Sequence, residues 1–137
     1  RVETQQEVYN IMSRTDCGIF PSKAEGWNLE LLEMLSCGKT VITTNYSAHT
    51  EFCNDDNAYL VETPEKEIAY DGKWFNGQNG SWAKISDSEL EIFIDYMRQI
   101  HVLKQNKDLK VNQSGIDTAK KFTWQNSAFN IKKVLNG

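Results

Sequence analysis

Apolar residues in the first half of the chain fall in short runs separated by polar, glycine-bearing stretches. Cys17-Gly18-Ile19-Phe20 is one such run, stopped by Pro21 and Ser22. It reads as a buried strand, because a strand covered on both faces shows no polar alternation. Thr40-Val41-Ile42-Thr43-Thr44, rich in β-branched residues, predicts a second strand, and Ala58-Tyr59-Leu60-Val61 a third. Between the first two lies Leu29 to Cys37, an apolar segment of strong helix formers. Gly38 follows it as a left-handed stop. Glu30 and Glu33 are its main polar positions, so the predicted helix is largely buried. Strand, loop, helix and strand over this length predict a βαβ crossover rather than a hairpin, with the strands parallel. His49 to Phe52 adds a short helical turn before the third strand.

The flanking segments read differently. Val2, Val8, Ile11 and Met12 are spread among polar neighbours up to Arg14, as in a helix already in progress where the sequence opens. The chain is therefore expected to begin inside a larger domain. From Glu62 to Ile85, Gly72, Gly77 and Gly80 alternate with Trp74, Phe75 and Trp82. Asp71-Gly72 is a hairpin signal, with Ile68–Tyr70 and Lys73–Phe75 as its expected arms. Its aromatic residues are expected to pack against the core rather than to stack on a ligand. Ser86 and Glu89 form a capping-box pattern ahead of Leu90, Phe93, Ile94, Met97 and Ile100, which recur at helical spacing. Asp108 to Lys121 predicts a weaker helix interrupted by Gly115. Thr123 caps a last helix whose apolar stripe is Trp124, Ala128, Ile131 and Leu135. The fold class that results is α/β, a partial doubly wound, Rossmann-like parallel sheet in a single truncated domain over residues 1–137. Residues 86–137 are its C-terminal helices. Half a sheet leaves a bare parallel edge, which missing upstream strands or a second copy of the chain would cover.

Charge and cysteine content narrow the function classes. A net charge of −4 provides no basic footprint for nucleic acid or an anionic membrane surface. No apolar run approaches the length of a transmembrane span. Cys17, Cys37 and Cys53 have neither zinc-like nor redox-like spacing. They fit small core residues in a reducing, cytoplasmic setting.

The chemistry is concentrated between Pro21 and Glu33, where a strand ends, a polar loop turns and a buried helix starts. Open α/β sheets bind ligands at such places. A helix N-terminus offers free N–H groups and partial positive charge to phosphates. Gly26 allows close backbone approach and Asn28 suits an N-cap. The amides of Trp27 to Leu29 are thus placed to take a pyrophosphate with no metal ion. Glu25 and Glu33, poor neighbours for phosphate, are good acceptors for sugar hydroxyls on either side of it. His49 lacks any partner pattern and reads as a hydrogen-bonded helix-start residue rather than a base.

Seven residues separate Glu25 from Glu33. With Ile19-Phe20-Pro21-Ser22 before them and Met34-Leu35-Ser36-Cys37-Gly38-Lys39 after, the string resembles the E-x7-E signature of retaining GT-B glycosyltransferases, especially family 4. Asn45 to Glu51 resembles the loop that follows in that family, and Phe122-Thr123-Trp124 the start of its final helix. The resemblance implies the C-terminal, donor-binding half of a GT-B fold. The donor substrate would be a nucleotide-diphosphate sugar, with no further cofactor and no protein-bound metal. By the same resemblance Glu25 contacts the donor sugar at the reacting carbon and is the catalytic residue. Gly26 and Trp27 line the sugar pocket, Asn28 shapes it, Leu29 gives its amide to a phosphate, and Glu33 holds the ribose. Asn28 departs from the small residue, such as glycine, common there. The family's upstream basic residues have no counterpart, and its N-terminal acceptor domain is absent, so the chain alone is expected to turn over negligibly. A GT-B epimerase or phosphorylase, or a non-catalytic domain that oligomerises through its open edge, are the competing readings.

Overall fold

The computed structural model describes residues 3–136. In order the elements are α1 (Gln5–Arg14), β1 (Cys17–Phe20), α2 (Leu29–Ser36), β2 (Thr40–Thr44), β3 (Tyr59–Val61), β4 (Lys66–Tyr70), β5 (Asn76–Ala83), α3 (Asp87–Gln105), α4 (Gln113–Ala119) and α5 (Trp124–Asn136). A 3-10 turn, Ser47–Glu51, links β2 to β3. β1, β2 and β3 form a parallel sheet in that order, with Ile19 opposite Ile42 and Thr43 opposite Leu60. This is the α/β arrangement that the run lengths predict.

Adjacent residues of β2 feed opposite cores, which is why that strand shows no polar alternation. Val41 joins Leu31, Leu32, Met34, Leu35, Phe52 and Cys53 on the α2 side. Ile42 joins Val61, Phe93 and Ile100 under α3. Cys53 serves as a small apolar core residue, and burial pushes its thiol pKa up to about 12. No helix among the described residues is long and apolar enough to cross a membrane.

α2 ends as expected. Gly38 sits at φ +68°, with its N–H on the Leu35 carbonyl (2.9 Å) and the Lys39 N–H on the Met34 carbonyl (3.1 Å). This paired closure is the Schellman motif. α4 differs from expectation: it covers only Gln113–Ala119, and Gly115 does not interrupt it. Gly115 is buried where α4 meets α2, and a Cβ there would lie 2.8 Å from Leu35 Cδ2. Asn112 starts the helix, accepting the Gly115 N–H (2.8 Å) while its amide donates to the carbonyls of Lys39 (3.1 Å) and Asn57 (2.8 Å).

Four other expectations change. α1 starts at Gln5 behind a Thr4–Glu7 capping box that periodicity did not reveal. The hairpin pairs Lys66–Tyr70 with Asn76–Ala83, so Lys73–Phe75 belong to the turn and not to an arm. The Asp71 carboxylate causes this: one oxygen accepts the N–H groups of Lys73, Trp74 and Phe75 at 2.8–2.9 Å and winds the chain into a wider loop. The hairpin aromatics also divide. Trp82 packs edge-on against Phe75 with ring centroids 5.4 Å apart, whereas Trp74 is 78% exposed. The stripe on α5 faces solvent, with Trp124, Ile131 and Leu135 all exposed.

Candidate functional site

After Phe20 the chain leaves the carboxyl edge of the sheet and re-enters as α2. The turn into the helix is made by Asn28 in the left-handed region, φ 69° and ψ 74°. Asparagine is among the few non-glycine residues that adopt this backbone readily. Glycine would satisfy the same left-handed position. Asn28 Oδ1 accepts the Leu31 N–H (3.1 Å) and the Asn28 carbonyl the Leu32 N–H (3.3 Å). The Leu29 and Glu30 amides have no partner among the described residues, as expected for a helix's first turn. They form the positive end of α2. Beside them a Cβ on Gly26 would meet nothing within 4 Å, so the tip is open.

Glu25 is half-buried and fixed from two sides. The Ser22 hydroxyl donates to Glu25 Oε1 (2.8 Å). Ser47 both accepts the Glu25 N–H (3.1 Å) and donates to the Glu25 carbonyl (2.6 Å). One carboxylate oxygen therefore has an internal partner and the backbone is clamped, which presets the other oxygen. Lys23, the nearest cation in sequence, is committed elsewhere. It pairs with Glu67 on β4, and Glu67 also accepts the Trp82 indole N–H (3.0 Å). With the Ala83 N–H on the Lys23 carbonyl (2.9 Å), the hairpin is braced against this loop.

The remaining predicted residues spread around α2. The Trp27 ring packs against Phe52 and Phe122, each centroid 5.2 Å away, and borders a cavity of about 410 Å³ with Leu29, Leu32 and Trp124. Glu33, one turn beyond Leu29, borders a smaller cavity of about 110 Å³ against Gln5, Tyr9 and Met12 of α1. A further cavity, about 440 Å³, lies at the opposite, amino end of β2 between Thr40, Asp55, Asp56 and Lys110. Two aspartates there disfavour an anionic ligand.

His49, read from the sequence as a hydrogen-bonded helix-start residue rather than a base, is 1% exposed and lies beneath the loop; what the sequence did not reveal is which groups it bonds. Its Nε2 is 2.9 Å from Asn28 Nδ2, and its Nδ1 is 2.8 Å from Thr43 Oγ1 and 3.1 Å from the Thr44 carbonyl. Since Asn28 Oδ1 already accepts from Leu31, its amide nitrogen must donate to Nε2. The network thereby assigns the proton to Nδ1. The ring is neutral, and desolvation lowers its pKa below the usual 6.5, only partly offset by the Thr44 carbonyl and the Glu25 charge. The folded state thus resists protonation where the unfolded chain accepts it. Stability contributed this way is complete above the unfolded pKa and declines as pH falls toward the folded one. Chemical denaturation between pH 7 and 5 is expected to show that decline, by at most about 1.4 kcal/mol per pH unit for one proton. His49→Gln should flatten it. Carboxylates held low by hydrogen bonds, such as Glu7 and Asp71, act only below their ordinary values of 4.5 and 3.8. An equal slope in wild type and variant would rule His49 out as the source.

A family model described as glycosyl transferases group 1 matches residues 1–71, just over half of the 137-residue chain. The match spans β1, α2, β2 and β3, and with them Glu25, Asn28, Glu33 and His49. No curated protein matches the chain.

Proposed function

The chain belongs to the glycosyl transferases group 1 family, and from that premise we propose that the loop before α2 and the tip of α2 bind a nucleotide-diphosphate sugar as donor for retaining glycosyl transfer. The main support is the pair of unpartnered amides at Leu29 and Glu30, on an open tip beside Gly26 and next to a clamped Glu25. Amide donors with a helix dipole behind them suit a diphosphate. The free oxygen of Glu25 then faces the sugar, at its reacting carbon, and Glu33 accepts from the ribose on the α1 side.

With Lys23 paired to Glu67, charge on the departing diphosphate falls to the amides alone at this loop. The chain by itself is therefore a donor binder with negligible turnover, and a hexose is the donor sugar that the resemblance favours. A reducing, cytoplasmic setting suits its three free thiols.

Calorimetry with a panel of uridine, guanosine, adenosine and cytidine diphosphates and their glucose conjugates tests the reading. One nucleoside diphosphate is expected to bind. Glu33→Ala should weaken both it and its conjugate about tenfold or more, the loss that follows when one charge-assisted hydrogen bond is removed. Glu25→Ala should weaken only the conjugate, because only the conjugate carries the sugar. Heat from no member of the panel, or wild-type affinity in both variants, would refute the proposal.

A further inference from the structure

We propose that His49 is a positioning residue for this site: through Asn28 it holds the left-handed turn that opens α2, and so sets where the Leu29 and Glu30 amides point. The proposal rests on the donor-binding reading of the loop. Its own observations are independent of any ligand.

Asparagine adopts a left-handed backbone more readily than other non-glycine residues but less freely than glycine, so side-chain bonds add to what keeps Asn28 there. Its side chain is fixed at both ends. Oδ1 takes the Leu31 N–H, and Nδ2 is held at 2.9 Å by His49 Nε2. The imidazole is itself fixed at Nδ1 by Thr43 Oγ1 and the Thr44 carbonyl at the end of β2. The two threonine hydroxyls continue back into the loop. Thr43 Oγ1 donates to the Phe20 carbonyl (3.3 Å) and Thr44 Oγ1 to the Ser22 carbonyl (2.7 Å). β1, the loop, the helix tip and β2 are thereby joined through one buried ring. Ser47, two residues before His49, clamps the Glu25 backbone through its hydroxyl, which accepts the Glu25 N–H and donates to the Glu25 carbonyl. The same 3-10 turn thus fixes Glu25 on one side of the open tip and Asn28 on the other. A histidine that merely filled space would need neither ring nitrogen in these bonds.

A neutral imidazole with its proton on Nδ1 is required throughout, because a doubly protonated ring has no acceptor for Asn28. Glu25 is the charged group whose field reaches the ring, and it favours the protonated form less than desolvation opposes it. Replacement by glutamine, which offers one acceptor and one donor at similar reach, preserves the pattern. Alanine removes it.

Glycine at position 28 makes the decisive comparison, since it adopts the left-handed turn without any support. In the wild-type background His49→Ala is expected to weaken nucleoside diphosphate binding about tenfold, with His49→Gln restoring most of it. In the Asn28→Gly background the same alanine change should alter affinity by less than about twofold, because the ring then has nothing to hold. Equal losses in both backgrounds would overturn the proposal, as would failure of glutamine to rescue. A ligand-free measurement runs alongside. Nitrogen-15 spectra should show His49 protonated on Nδ1 only, and amide exchange at Leu31 should rise about fivefold in His49→Ala relative to Val41 in the core. A uniform rise at both amides would mean a general loss of packing and would sink the positioning role. If the wild-type chain binds no diphosphate, the donor reading falls, and the spectra and the exchange ratio still decide whether His49 holds Asn28.

Discussion

Cutting Leu35 back to alanine is expected to lower the unfolding free energy by about 2–5 kcal/mol. The side chain is 0% exposed and lies among Leu31, Met34, Val41 and Phe52. The residue facing Leu35 from α4 is Gly115, which has no side chain to fill the resulting hole: a Cβ there would lie 2.8 Å from Leu35 Cδ2, an atom the substitution removes. On the other side Asn112 ties α4 to the Lys39 and Asn57 carbonyls, so the helix has little freedom to slide inward. Neighbours that do not relax leave the full cavity term in place, which puts the expected loss in the upper part of that range. Domains of this size are stable by about 5–15 kcal/mol in total. A urea titration should therefore show a large drop in midpoint at an unchanged slope. A midpoint within error of wild type would mean that α2 and α4 do not share a core.

The second large effect is expected just past the same, C-terminal end of α2. Gly38→Val forces a β-branched residue to φ +68° and drives its Cβ to 2.8 Å from Val111 Cγ1 and 3.0 Å from Ile116 Cδ1. The backbone term is about 1–2 kcal/mol for any L side chain, and overpacking adds about 1–3 kcal/mol. The chain can escape only by giving up the bonds from Gly38 and Lys39 to the Leu35 and Met34 carbonyls, which would fray the last turn of α2. Thermal and urea unfolding should both shift strongly. Because Gly38 faces Ile116 and Leu35 faces Gly115, neighbouring residues of α4, the loss in a Gly38→Val, Leu35→Ala double variant should fall short of the sum. A Gly38→Val protein as stable as wild type would show that the positive φ is not needed to leave the helix.

Much of this was legible because it depends on neighbours close in sequence. The stop at Gly38 follows from the one residue type that takes a left-handed backbone freely, and the capping box at Ser86 and Glu89 is a matter of spacing; both are present in the fold. The strands β1, β2 and β3 were visible as β-branched or apolar runs of the right length. The hairpin was half legible: Asp71-Gly72 marks the turn, but not that one carboxylate oxygen gathers three amides and displaces the second arm to Asn76–Ala83. At the site, the sequence placed Glu25, Gly26, Asn28 and Leu29 in one loop and Glu33 on the helix that follows. It could not show that the Trp27 ring turns toward Phe52 and Phe122, because aromatic contacts across the chain leave no local pattern.

The order of elements, the parallel βαβ unit and the position of a glycine-bearing loop at the start of a buried helix were fixed by the chain on its own. Run length, β-branching and permitted φ values act over a few residues. The tertiary structure alone decided which polar groups meet. Asn28 and His49 stand 21 residues apart in sequence and 2.9 Å apart in space, and Gly115 is required by Leu35 of another helix. Such contacts arise only when the sheet brings separate segments to one edge. A histidine's proton and an asparagine's backbone are then set by groups that no local pattern specifies.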